Sequence, residues 1–275
     1  MTPPIAHPRV GLRLDVISLA MAFAVVVAAS VARHAELDTC LFLAVNGWRG
    51  LPGAVWETLS VAGLGVSALV ACTIAPQRHP RVVAALPWMF VIGGGLTHLV
   101  KQAMPLPRPA SVLAAAELHV VGPRLFLRSM PSGHAMTACA VVCILFLTGG
   151  PFWRRPWVLA SGAMLAAAIG LSRLVSGAHW PADVVAGAAL GVAAGCVSVH
   201  LAELTQTAAW LATSLGQWII AGTQLGVGAA LVMDQGYGRT LPVQWILATL
   251  AVWAGLRTLP ELPWLRLRQR VEART

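Results

Sequence analysis

Eight apolar stretches of near-spanning length constrain what this 275-residue chain can become. They run over about 14–32, 54–75, 82–101, 133–149, 157–173, 181–200, 215–233 and 242–258. A helix that crosses a bilayer needs roughly 20 mostly apolar residues. Hydrophobic residues make up 57% of the chain, charged residues 11%, and the mean hydropathy is +0.74. A soluble domain is usually about 25% charged. The pattern predicts an all-α, polytopic membrane helix bundle. Residues 1–200 would form a six-helix core. Residues 201–275 would add two C-terminal transmembrane helices and a basic cytoplasmic tail. No ordered soluble domain fits between the stretches.

The net charge is +9 and the pI is near 10.9. Such a balance can mark a nucleic-acid binder, but the distribution here excludes one. Arg78 and Arg81 share one short loop, Arg154 and Arg155 another, and Arg266, Arg268 and Arg270 lie in the tail. Basic residues in short loops flanking membrane helices mark the cytoplasmic side. The first apolar run, preceded by Arg9 and Arg13, exceeds the 7–15 residues of a signal-peptide core. It is expected to stay as an uncleaved anchor. Of the five cysteines, Cys139 and Cys143 stand four apart on one predicted helix. With no His or Asp at ligand spacing they read as small packing residues, not a metal pair.

Helix ends carry most of the remaining polar residues. The third stretch holds Gly93-Gly94-Gly95 and ends at Lys101. A long loop rich in Pro and Arg covers 102–132. The fourth stretch begins at Ser132-Gly133-His134, and the fifth ends at Ser172-Arg173. The sixth begins near Pro181, a residue suited to the first turn of a helix, with His179 before it and Asp183 inside it. Antiparallel neighbours therefore bring all of these ends to one membrane face. The basic turns 76–81 and 151–156 fall on the other. The segment Leu37–Trp48 is too short to span and is expected to lie along the interface.

These ends form a cationic pocket in principle. Helix N-termini present unpaired N–H groups that bind anions. Lys101 and Arg173 offset the negative C-termini beside them. His179 and Asp183 are four apart, and side chains in a first turn lean toward the N-terminus. Asp183 can then reach the imidazole and fix its tautomer. Pro109 holds Arg108 extended. Lys101 is the single lysine among nineteen basic residues.

Three motifs stand in order: Lys101-x6-Arg108-Pro109, Pro131-Ser132-Gly133-His134 and Ser172-Arg173-x5-His179-x3-Asp183. Together they resemble the signature of the type 2 phosphatidic acid phosphatase (PAP2) superfamily, with no departure at any motif position. The resemblance covers about residues 54–200. It implies a metal-independent membrane phosphatase without cofactor, acting on a phosphate monoester or diphosphate. His179 would be the nucleophile that forms a phosphohistidine, Asp183 its orienter and His134 the general acid. Lys101, Arg108, Ser132, Gly133 and Arg173 would bind the phosphate. The substrate would be a lipid phosphate, undecaprenyl diphosphate first. Phosphatidylglycerophosphate, phosphatidate and lipid A phosphates are alternatives. The location implied is a bacterial inner membrane, with the site facing the periplasm or cell exterior. No obligate protein partner is evident.

Two rivals fit the same motifs. A phosphotransferase would pass the phosphate to a second lipid. A transporter of phosphate-bearing lipids would only bind it and would not need His179 paired with Asp183. Outside the motifs, His98 reads as a satisfied interfacial histidine, His119 as a solvated loop residue and Glu57 as interfacial. His200 has no assigned role, and the eleven tryptophans suit interfacial anchoring.

Overall fold

Proline opens several of the helices around the site. Pro80, Pro109, Pro156 and Pro181 each occupy the first turn of a helix, where the missing N–H costs nothing. The computed structural model describes residues 8–48, 50–74, 78–233 and 237–259, with side chains from Asp15 onward. The arginine-rich tail and the side chains of Arg9 and Arg13 lie outside the described residues. Those residues form helices α1 (Pro8–Ala32), α2 (Glu36–Asn46), α3 (Gly53–Ala62), α4 (Gly65–Thr73) and α5 (Pro80–Ala103). After them come α6 (Pro109–Val112), α7 (Gly133–Thr148), α8 (Pro156–Val175), α9 (Pro181–Leu204), α10 (Thr207–Leu211), α11 (Ser214–Val232) and α12 (Leu241–Thr258). Among the described residues there is no strand.

The chain is a multi-pass membrane protein, but not every apolar stretch is a straight span. Five helices have the length and hydropathy to cross, or six if α3 and α4 count as one bent pair. The second stretch breaks between these two helices by 67°. Gly63 ends α3 and Gly65 opens α4, and glycine is a poor helix former. The Ser67 hydroxyl donates to the Val61 carbonyl that the break releases, at 2.6 Å. Helix α7 has only 16 residues, about 24 Å at 1.5 Å per residue. Helix α12 is an 18-residue helix outside the five. Within α5, Pro87 precedes a π-helical turn over Phe90–Gly94. Proline removes one ladder bond, and the local widening is of the kind seen at functional sites.

Helix α9 is the central pillar, with α7, α1 and α5 packed around it. Gly187, Gly191 and Gly195 form a stripe at every fourth position of α9. A Cβ on Gly187 would lie 2.3 Å from the Ser132 carbonyl oxygen, and one on Gly191 2.3 Å from that of Met136. Small residues at this spacing let two helix backbones touch. The stripe therefore seats α7, which carries His134, directly on the helix that follows His179. Outward faces remain apolar: Met21, Phe23 and Val31 on α1 are 64–71% exposed, as suits a lipid-facing surface.

Helix α2 does not lie free along the interface. It buries Asp38, Phe42 and Asn46 against the site loops. The Asn46 side chain sits 2.8 Å from the His119 carbonyl oxygen and 3.0 Å from those of Leu174 and Val175. It clamps the long loop to the end of α8. His119 is accordingly half-buried, not solvated.

Candidate functional site

Four helix ends and one loop converge on His179. The ring lies just before α9 and is 3% exposed. Its Nδ1 is 3.4 Å from Asp183 Oδ2. That oxygen also accepts a short hydrogen bond from the Ser129 hydroxyl and one of 2.9 Å from the Trp180 N–H. Asp183 stands at the third position of α9, and its carboxylate reaches back to the N–H of the residue before the helix, which ties off an otherwise unpaired donor. Its carboxylate thus holds the helix start, the loop and the imidazole together. The Asp183 carbonyl in turn accepts the Ser132 N–H at 2.9 Å, joining α9 to α7.

On the other side of the ring, Arg108 NH1 stands 3.2 Å from His179 Nε2 and donates to the Ala178 carbonyl at 2.7 Å. Its Nε donates to the Leu127 carbonyl at 2.8 Å. The backbone of Arg108 is extended, φ −85° and ψ 164°, as expected before Pro109. Burial, opposed by Asp183, brings the guanidinium down to about 10, so it is charged at neutral pH. Lys101 Nζ donates to two consecutive carbonyls, Arg128 at 2.7 Å and Ser129 at 3.3 Å. Burial first, then Arg108, Arg173 and Lys101, push the His179 imidazole well below its ordinary range; the Ser129 backbone opposes this weakly. The ring is therefore neutral.

Arg173 is 2% exposed at the end of α8. Its NH1 donates to Ser60 Oγ at 2.6 Å and to the Tyr237 hydroxyl at 3.1 Å. Ser172 Oγ donates to the Ile169 carbonyl and lies 3.3 Å from Ser60 Oγ. The Ser172 proton is thereby used, so Ser60 donates to Ser172 and accepts from Arg173. Ser172 in the third motif thus supports Arg173 through one intermediary. His134 packs against the α3–α4 break: a Cβ on Gly63 would lie 3.0 Å from its Cδ2. His134 Nε2, Ser132 Oγ, Arg173 Nε and Asp183 Oδ1 are buried without a hydrogen-bond partner. Buried polar atoms are rarely left so.

All the motif residues therefore meet at one site. Several other residues there had no role in the sequence reading. Ser129 has a weak signal, standing three residues before Ser132. Asp38 Oδ1 accepts the Ala182 N–H of α9 at 3.0 Å, and Asp38 Oδ2 lies 3.9 Å from Arg33 NH1. Burial raises the Asp38 carboxyl and lowers the Arg33 guanidinium. Arg33 also lies 3.8 Å over the Trp180 ring, a favourable cation–π placement. Trp180 is fully buried on Phe42, not an interfacial anchor. Glu57 is buried too: it accepts the Arg239 N–H at 3.0 Å. His98 is exposed beside Gln102. His200 pairs with Asp15 at 3.3 Å. Cys143 Sγ lies 3.6 Å from Cys196 Sγ between α7 and α9.

Comparison with known proteins points to one family. The PAP2 superfamily profile fits residues 82–207. That region is a PAP2 superfamily domain. It includes every motif residue from Lys101 to Asp183. Lipid A 1-phosphatase of Porphyromonas gingivalis is 38% identical over 76 residues, 28% of this chain and 17% of that protein. Undecaprenyl-diphosphatase of Sulfolobus acidocaldarius is 32% identical over 125 residues, 46% of this chain and 57% of that protein. The chain thus spans little more than half, or less, of these curated relatives. Two solved structures share the fold. Aquifex aeolicus LpxE has a TM-score of 0.51 and 26% identity, covering 59% of this chain and 94% of that one. The PAP2 type phosphatidylglycerolphosphate phosphatase from Bacillus subtilis has a TM-score of 0.52 and 19% identity, covering 67% and 96%. Tyr237 lies beyond the matched PAP2 domain.

Proposed function

We propose that this chain is a PAP2-type membrane phosphatase that hydrolyses a lipid phosphate or diphosphate through a phosphohistidine on His179. One observation carries the reading: a neutral, buried imidazole stands among Arg108, Arg173 and Lys101, ringed by unspent polar atoms. A phosphoryl group offers the acceptors that Ser132 Oγ and Arg173 Nε lack.

In this mechanism Nε2 of His179 attacks phosphorus, and an N–P bond forms as the P–O bond to the lipid breaks. Asp183 holds the Nδ1 side and stabilises the positive charge that develops on the ring. His134 Nε2 gives a proton to the leaving oxygen. Water, deprotonated by the same His134, then attacks the phosphohistidine and frees His179. Lys101, Arg108 and Arg173, with Ser132 and the Gly133 N–H, stabilise the charge on the phosphoryl oxygens. These side chains fill the electrostatic role that a divalent ion would otherwise play, so activity is expected to survive EDTA.

The basic turns favour a cytoplasmic location for the face opposite the site. The site then faces the periplasm or exterior of a bacterial inner membrane. Undecaprenyl diphosphate is the preferred substrate, because its head group is exposed on that side. The name of the Sulfolobus relative is consistent with that choice. Lipid A phosphates, phosphatidylglycerophosphate and phosphatidate are the alternatives. The decisive assay is phosphate release by purified protein over a panel of these four lipids. Acid-quenched wild type should hold acid-labile, base-stable phosphate. Label retained on His179→Ala protein would overturn the assignment. Turnover that requires a second lipid as acceptor would make the protein a phosphotransferase, and binding without release would make it a carrier.

A further inference from the structure

Tyr237 is the sole tyrosine of the chain and lies in the connection between α11 and α12, outside the matched PAP2 domain. It is nevertheless 4% exposed, with its hydroxyl on Arg173 NH1. Its carbonyl accepts from the Thr240 hydroxyl at 2.8 Å and lies 3.4 Å from Gln244 Nε2. The neighbouring Arg239 N–H is bound by buried Glu57 of α3. The ring is thus held from two sides, by α12 and by α3.

A guanidinium NH1 carries two hydrogens. One goes to Ser60 Oγ and the other to Tyr237 Oη. The Arg173 guanidinium makes no other hydrogen bond among the described residues, and its Nε is buried and unpartnered. We propose that Tyr237 is a positioning residue for the phosphoryl site: with Ser60 it occupies NH1 of Arg173 and so presents the Nε edge to the bound phosphoryl group. This deepens the lipid-phosphatase reading and rests on it. Arginine is flexible along its stem, and its planar fork is useful only when aimed. The segment after residue 200 acquires a task by this account. It carries the clamp that aims an arginine inside the PAP2 domain.

The single tyrosine makes the test direct. Growth on 3-fluorotyrosine labels this position alone. One ¹⁹F resonance is expected, and it should move when orthovanadate is added to the detergent-purified protein. Tyr237→Phe should lower kcat/KM at least about tenfold on the best lipid of the four-lipid panel. It should raise the orthovanadate inhibition constant by a similar factor, with thermal unfolding unchanged. Wild-type kinetics and inhibition in the Phe variant would overturn the proposal. So would a loss of activity that tracks a lower unfolding temperature while inhibition stays the same. If the Phe variant does not fold, the fluorine titration decides alone, and a resonance indifferent to saturating orthovanadate defeats the idea. A shifting resonance on a protein that releases phosphate from no lipid would keep the clamp and discard the hydrolase reading.

Discussion

Arg108 NH1 lies 3.2 Å from His179 Nε2, so the guanidinium faces the ring nitrogen proposed to attack phosphorus. After burial, that guanidinium is the largest influence holding the ring neutral. An unperturbed imidazole titrates near 6.5; the folded value here is lower. As pH falls below about 6.5, the unfolded chain takes up a proton that the folded protein refuses, so stability declines toward acid. The nucleophile stays neutral over the same range. The acid limb of kcat/KM is therefore expected below pH 6.5 in the wild type. Arg108→Gln removes a positive neighbour and should move that limb to higher pH while lowering its plateau. A pH–rate series on both proteins checks the sign; a limb that stays put or moves down refutes it.

Lys101 bridges the carbonyls of two consecutive residues, Arg128 and Ser129. An ammonium is a compact point charge with rotatable donors, whereas a guanidinium is a broad fixed fork. Lys101→Arg keeps the charge but not this fit, and Ser129 beside it holds Asp183. A loss of at least about tenfold in kcat/KM is expected, roughly 1.4 kcal/mol of transition-state stabilisation, with Lys101→Ala losing more. Near-wild-type steady-state kinetics for the Arg variant would show that charge alone matters there.

Two glycines on membrane helices should respond oppositely to alanine. A Cβ at Gly191 would meet the Met136 carbonyl oxygen at 2.3 Å, while one at Gly222 meets nothing within 4 Å. Gly191→Ala must push α7 from α9, at a cost of about 1–3 kcal/mol or more, and should displace His134 from His179. Gly222→Ala should be neutral or stabilising by up to about 1 kcal/mol. Thermal unfolding in detergent with activity measured alongside separates them. Equal effects would mean the stripe is not the contact that seats α7.

Orientation has its own test. A fluorescent reporter fused after Thr275 is expected to glow in the cytoplasm. A cysteine placed in the loop 110–122 should react with an impermeant reagent from outside. A dark fusion together with labelling at 78–81 would reverse the proposed sidedness.

Fold class, membrane residence and the motif cluster were legible in the sequence because each depends on local pattern. Apolar length reports a helix in a bilayer, and the alternation of antiparallel helices brings Lys101, His134, Arg173 and His179 to one face. Contacts between distant segments have no such signature. At the Gly63 break, Ile169 and His134 pack in from two other helices. Glu57 looks interfacial until Arg239, 182 residues on, binds it. The glycines of α9 recur at every fourth position of the sequence, but only packing shows that they meet another helix and which one. Trp180 is indistinguishable in composition from interfacial tryptophans, yet Phe42 and Arg33 bury it. Tyr237 is the clearest case. It stands alone after the last motif, and nothing near it in sequence marks it as polar machinery. Only the return of the chain after α11, which sets its hydroxyl on a buried guanidinium in need of an acceptor, places it at the site.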